Sequence, residues 1–276
     1  MIIRLILALS VAATTVVGIV TDYPFLNSVL LLAGVFVGSF LALALVAVGF
    51  LAICCATVDY DKPQEKDSPF FRWLAEQYIV VLIMLLQIRF DTQGLEKIPK
   101  EGRFMLVCNH MFDADPAVLL HFFREKQVSF VSKWENRKLP FVGRIMHKLR
   151  CPLINREDNR QGLRTIVECI NMIRQDEASI AVFPEGYCNS DDRLLPFRPG
   201  VFKIATKTNV PIVVCTLQNT RHVVKNGLKL KPTTIRLHLV DVIEPEEYAG
   251  MKTTEISDKV FAMMIDDLGP DYAPLK

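Results

Sequence analysis

The sequence predicts an α/β protein: a transmembrane helical hairpin at the amino terminus, followed by an α/β domain on a largely parallel, mixed sheet. Three observations predict it. Apolar residues make up 51% of the 276-residue chain, and the excess is concentrated before residue 58. From residue 86 onward, short apolar runs of strand length alternate with stretches of helical period, the pattern of strands joined by crossover helices. Polar clusters directly follow two of those runs, the place where sheets of this kind carry their chemistry. The expected organisation is an anchor over 1–58, a linker with an interfacial helix over 59–85, and the α/β domain over 86–276.

The anchor is read from two apolar runs. Residues 5–20 are apolar apart from Ser and Thr, and residues 29–56 are apolar without a single charge. A spanning helix needs about 20 such residues, so the second run is long enough and the first is marginal. Between them lies the polar break Thr21-Asp22-Tyr23-Pro24, with a helix-stopping proline. Two spans with so tight a link form a hairpin, because backbone cannot stay unpaired in lipid. A cleaved signal peptide, with Arg4 as its charged end, is the competing reading of the first run. The second run leaves an anchor in either case. Arg4 precedes the first run, Lys62, Lys66 and Arg72 follow the second, and the turn has no basic residue. Both ends, and the domain that follows, are therefore expected on the cytosolic side. Gly34 and Gly38 form a small-residue pair suited to helix packing within the hairpin. Residues 59–68 read as a charged linker. Residues 78–86 are apolar but too short to span, and fit either a core element or a segment resting in the membrane interface.

In the domain, strands are predicted over 104–108, 128–131, 152–154, 179–183, 211–217 and 234–240, and helices over 116–124, 139–149, 161–174, 201–208 and 255–268. A formal net charge of +2 gives no footing for nucleic-acid binding, which calls for a strongly basic face. The seven cysteines contain no Cys-x-x-Cys pair. Their odd number fits reduced thiols in a cytosol-facing domain better than a disulfide framework. No residues have metal-ligand spacing, and no Gly-x-Ser-x-Gly elbow marks a serine hydrolase.

The first polar cluster reads Asn109-His110-Met111-Phe112-Asp113-Ala114-Asp115-Pro116. Five positions apart, His110 and Asp115 would lie on different faces of a continuous helix, so they meet only across a turn. Asp115-Pro116 has the form of an N-cap followed by proline at the first helical position. Asp115 can be that cap alone. It can also fix the His110 tautomer and stabilise the imidazolium. The two roles can coexist, with one carboxylate oxygen accepting from backbone and the other from imidazole. His110, for its part, can be an ordinary histidine with satisfied nitrogens or a general base.

Asn-His-x-x-x-x-Asp arriving after a strand resembles the signature of the glycerophospholipid acyltransferase family, including its 1-acyl-sn-glycerol-3-phosphate branch. Further blocks follow in the family's order: Ser132-Lys133-Trp134-Glu135, Leu139-Pro140-Phe141-Val142-Gly143, Ile154-Asn155-Arg156, Phe183-Pro184-Glu185-Gly186, the run from Phe197 to Lys203, and Val210-Pro211-Ile212-Val213-Val214. The resemblance covers residues 86–217. It implies that His110 deprotonates an acceptor hydroxyl, which attacks an acyl thioester directly without a covalent acyl-enzyme. It implies Asp115 as the partner of His110, and substrate contacts from Asn109, Lys133, Arg156, Glu185, Gly186 and Arg198. Arg156 matches the arginine linked to acceptor phosphate, a task suited to a planar guanidinium fork; the other reading is a surface arginine. The last apolar block is linked in the family to the acyl donor, and is equally a buried strand.

One position departs from the pattern. The usual Thr-Arg-Ser after the glycine is replaced by Tyr187-Cys188-Asn189-Ser190. Either Arg193, Arg198 or Lys203 supplies the missing charge, or the acceptor carries a different head group. Cys188 has no paired base in sequence to make it a nucleophile. Residues 133–150 interleave Lys133, Arg137, Lys138, Arg144, Lys148 and Arg150 with large apolar residues. That suits an interfacial helix on anionic lipid, a core-packed helix with a solvated face, or a binding face for donor phosphates. The expected reaction is acyl transfer from acyl-CoA or acyl carrier protein to a lysophospholipid, 1-acylglycerol-3-phosphate giving phosphatidic acid. The thioester is a co-substrate, and no cofactor or metal is expected. A thioesterase and a non-catalytic lipid-binding membrane protein are the other classes compatible with these residues.

Overall fold

The computed structural model describes residues 1–21, 25–155, 158–188 and 191–274. Most of the polar break (Asp22, Tyr23 and Pro24), Arg156, and Asn189-Ser190 lie outside the described residues. The chain divides into two compact units, Met1–Pro63 and Gln64–Lys276.

The first unit is a pair of helices, α1 (Ile2–Val20) and α2 (Phe25–Ala56). Both are long and apolar enough to cross a membrane. They pack on each other, with Gly18 against Leu32. Gly34 and Gly38, expected to serve that packing, have no heavy atom within 4 Å of where a side chain would begin, so the close approach falls elsewhere.

The second unit opens with α3 (Pro69–Leu85). The apolar run over 78–86 is the last part of this longer helix, whose start is set by Ser68 accepting from the Phe71 N–H with Pro69 in the first turn. The sheet contains β1 (Ile88–Gln93), β2 (Met105–Cys108), β3 (Val128–Phe130), β6 (Ser179–Val182), β7 (Ile212–Gln218) and β8 (Thr233–Ile243) in the order β1-β8-β7-β2-β6-β3. A separate two-stranded ribbon pairs β4 (Ser132–Lys133) with β5 (Leu153–Ile154). All neighbours in the main sheet run parallel except β7 with β8. The expected mixed, largely parallel α/β sheet is therefore present.

The central strands β2, β6 and β7 are buried along almost their whole length, as strands covered on both faces must be. On one face Met105, Val107, Ile180, Val182, Ile212 and Val214 form a single core with residues of α6 (Asn159–Arg174), α7 (Lys203–Thr208) and α9 (Thr253–Leu268). Other expectations change as well: strand β4 is not among the predicted strands, and the strand predicted over 152–154 pairs with it outside the main sheet. Strand β1 is an addition to the predicted set, because as an edge strand it reads Ile-Arg-Phe-Asp-Thr-Gln with only two apolar residues. The basic stretch 133–150 is not one helix. It comprises the end of β4, a 3-10 turn over Trp134–Lys138 and a seven-residue helix α5 (Val142–Lys148), broken at Pro140 and at Phe141, whose φ is 59°.

Candidate active site

The site is assembled where β2, β6 and β7 end. Beyond Cys108 the chain stops pairing through its backbone, and the side chain of Asn109 continues the ladder instead. Its Nδ2 donates to Leu217 O at 2.9 Å and its Oδ1 accepts from Leu217 N at 2.7 Å. Asn109 is buried and both ends of its amide are used, so it acts on the site by tying β2 to β7. The structure thus gives a positioning geometry to a residue expected to touch substrate.

The turn after Asn109 brings His110 onto Asp115, with Nδ1 to Oδ2 at 3.0 Å. Asp115 is fully buried. The same Oδ2 accepts from Met111 N at 2.7 Å and Phe112 N at 2.8 Å, while Oδ1 has no partner among the described residues. This corrects the expected division of labour in two ways. One oxygen carries both the backbone and the imidazole contacts. The backbone groups it satisfies lie in the turn behind it, because Asp115 is the first residue of α4 (Asp115–Phe122) and Ala114 is its N-cap. With Nδ1–H donating to a carboxylate, the imidazole keeps Nε2 as its acceptor nitrogen. The ring is stacked on Phe183 at 4.3 Å between centroids, which fixes its plane.

Glu185 holds the same turn from the β6 side. Its Oε1 accepts from His110 N at 2.7 Å and its Oε2 from Leu195 N at 2.8 Å. Burial drives its carboxyl up to about 7, against the opposing pull of those two N–H groups and of His110. Both oxygens are committed to backbone, so Glu185 shapes the site by pinning His110 and the loop through Leu195. Gly186 follows at φ +77°, and a side chain there would begin 2.8 Å from Arg198 Nε. The arginine runs across the bare glycine, with its guanidinium 5.3 Å from the Tyr187 ring centre and its own N–H on Pro184 O. Of the cations considered to replace the absent arginine, Arg198 is therefore built into the Glu185 turn. Arg193 is paired with Asp191, and Lys203 lies at the start of α7.

Cys188 is exposed. Partial desolvation by the loop around it, followed by the charges of Asp115 and Asp113, pushes its thiol up to about 11 while Arg221 pulls it down. Sequence reasoning missed Arg221. It follows β7, donates to Asp191 O at 2.7 Å and faces Asp192 at 3.7 Å, which brings a cation to the loop carrying Cys188. Its position just past a strand's carboxyl end was the available signal. Lys133 pairs in register with Ile154, placing the Ser132–Glu135 block beside the Ile154-Asn155 block.

Residues 89–218 match the sequence model of the Acyltransferase family. Over that segment the chain is similar to the family. The matched segment contains the whole His110–Asp115–Glu185 arrangement. Over 182 residues the chain is 29% identical to a 1-acyl-sn-glycerol-3-phosphate acyltransferase of Borreliella burgdorferi, spanning 64% of this chain and 72% of that relative. It is 33% identical over 138 residues to a chloroplastic enzyme of that name from Brassica napus, spanning 50% of this chain but only 39% of the relative. Its fold is similar to the crystal structure of the 1-acyl-sn-glycerophosphate acyltransferase PlsC from Thermotoga maritima, with a TM-score of 0.61 at 23% identity, covering 80% of this chain and 87% of that one. The second unit thus has the fold and sequence blocks that the residues predicted.

Proposed function

We propose that this protein is a membrane-anchored O-acyltransferase. It moves a fatty acyl group from acyl-CoA or acyl carrier protein to the free hydroxyl of 1-acylglycerol-3-phosphate, giving phosphatidic acid. The observation that carries the reading is the His110 Nδ1 contact with a buried Asp115 carboxylate, at the carboxyl ends of β2 and β6 inside the acyltransferase-family segment. The acceptor hydroxyl donates to His110 Nε2. As its oxygen attacks the thioester carbonyl, the O–H bond breaks and His110 takes the proton, with Asp115 stabilising the imidazolium. The C–S bond then breaks, and the departing thiolate receives the proton. Arg156, Arg198 and Lys133 are proposed to bind the phosphates of acceptor and donor, with Arg221 close to the same loop. A direct transfer is favoured over a Cys188 acyl-enzyme, since a thiol pushed to about 11 is a poor nucleophile near neutrality. The α1–α2 pair is proposed to span the bilayer, leaving the acyltransferase domain on the cytosolic face.

The test is acyl transfer by the purified chain in detergent, using a labelled acyl thioester with lysophosphatidate, other lysophospholipids or no acceptor. Product with lysophosphatidate is expected, reduced about 10²–10⁴-fold in His110→Ala. Product with another head group alone would assign a different acceptor, and thioester loss without acceptor would make the protein a hydrolase. Full turnover by His110→Ala would remove the base.

A further inference from the structure

The segment from His222 onward after β7 has no role in the chemistry above, yet it displays large apolar side chains at the same end of the sheet as His110. Helix α8 (His222–Gly227) leads into Leu228-Lys229-Leu230-Lys231, where Leu228 is 80% and Leu230 77% exposed. These leucines are held out rigidly. Leu228 N donates to Val224 O, Lys229 N and Lys231 N to Asn226 O, and Leu230 N to Gly227 O, while Asn226 Nδ2 donates to Thr233 Oγ1 at 3.0 Å. Leu230 has a φ of 54°, a region where glycine or asparagine is the easy choice. A leucine kept there, pointing at water, points to a partner.

A second apolar surface adjoins it within the same unit. A side chain on Gly227 would begin 2.6 Å from Leu86 Cδ2 and 3.2 Å from Leu86 Cα, so the glycine lets α8 lie directly against the end of α3. There Leu82, Met84 and Leu85 are about half exposed. Within the two segments themselves the charge has one sign. Residues 77–90 and 221–235 contain no Asp or Glu, and they carry Arg89, Arg221, Lys225, Lys229 and Lys231. Rigid leucines between lysines, next to an uncharged helix end, complement an anionic lipid surface, where apolar side chains enter the acyl boundary and ammonium groups meet phosphates.

We propose that Leu228 and Leu230, with the carboxyl-terminal turns of α3, form a second membrane-docking surface that takes an anionic phospholipid bilayer. The proposal rests on the membrane-anchored reading. Helix α2 ends at Ala56 and α3 begins at Pro69, so a connecting segment of about 45 Å at most tethers the second unit to any bilayer that holds α2. Register fixes which end of the sheet docks. Gln218 pairs with Arg236 and Ile88 with Thr233, so the segment emerges at the carboxyl end of β7, on the side where Asn109 and His110 lie. Docking there presents the site to a lipid acceptor in the plane of the membrane.

The experiment uses the full chain reconstituted in phosphatidylcholine vesicles with and without phosphatidylglycerol, comparing the parent with Leu228→Trp. Flotation first reports anchoring. Trp emission, taken as the difference from the parent, is then quenched by brominated acyl chains or by aqueous acrylamide. The expected result is quenching by brominated lipid of at least about twofold in anionic vesicles, with protection from acrylamide. Lys225→Gln/Lys229→Gln/Lys231→Gln should abolish the preference for anionic vesicles. A floated Leu228→Trp protein whose difference emission answers only to acrylamide overturns the docking surface and leaves the anchor standing. Failure of the parent to float overturns both.

Discussion

Asp115→Asn separates the charge of the site from its hydrogen bonds. Oδ2 accepts from Met111 N, Phe112 N and the His110 ring, so an amide oxygen is forced into that place: an NH₂ group there would face two N–H donors. The amide nitrogen then takes the position of Oδ1, which has no partner among the described residues, so its N–H groups stay unpaired at a cost of about 1–3 kcal/mol. The tautomer and the turn survive, and only the negative charge is removed. Two unit charges about 4 Å apart interact by about 4 kcal/mol at an effective dielectric near 20. Loss of that stabilisation on a full imidazolium corresponds to about a thousandfold in rate. Partial proton transfer at the transition state brings the expected fall in kcat to about 10²–10³-fold. The assay is acyl transfer in detergent, with thermal unfolding of the same samples. The midpoint should fall by about 2–4 °C for each kcal/mol that the unpaired amide costs in a chain of this size, less than in Asp115→Ala. Asp115→Ala, which orphans three donors at about 1–3 kcal/mol each, should unfold markedly earlier. An Asp115→Asn protein that keeps the parent rate would refute the electrostatic role and leave Asp115 as a turn-builder.

Gly186→Ala should raise the acceptor KM more than it lowers kcat, because the methyl displaces the Arg198 guanidinium while the left-handed backbone costs about 1–2 kcal/mol; steady-state kinetics against acceptor concentration read the split. Glu185 supplies a pH signature. Its folded carboxyl titrates near 7 against an ordinary 4.5, so the folded state holds the proton that the unfolded chain releases. Stability from this group is full below about 4.5 and declines as pH rises through 7. Glu185→Gln should flatten the slope of the unfolding midpoint between those values, and an unchanged slope would contradict the assignment. Asn109→Ala should destabilise the fold by about 1–3 kcal/mol for each Leu217 group it leaves unpaired, measured by denaturant unfolding. Cys188→Ser should leave the transfer rate unaltered and Cys188 should alkylate slowly at neutral pH; loss of turnover would revive an acyl-enzyme.

The sequence by itself determined the elements whose signal is local. Two uninterrupted apolar runs give α1 and α2 because hydropathy needs no partner to be read. The buried strands β2, β6 and β7 stand out as short apolar runs for the same reason, and proline and aspartate mark where α4 starts. His110, Asp115 and Glu185 were legible as residues because each follows a strand in a polar cluster. What they touch was decided by tertiary structure. Nothing within residues 109–116 announces that the His110 N–H is held by Glu185, a residue 75 positions later, or that Asn109 completes the pairing of β2 with β7 through Leu217. Those contacts exist because parallel strands put distant carboxyl ends side by side. The edge strand β1 stayed hidden since its identity depends on lying beside β8, not on its own composition. The stretch 133–150 shows the converse. Its amphipathic composition suggested a helix, and pairing with β5 together with Pro140 and the turn at Phe141 broke it up. Local chemistry names the groups in this protein, and the order of strands in its sheet brings them together.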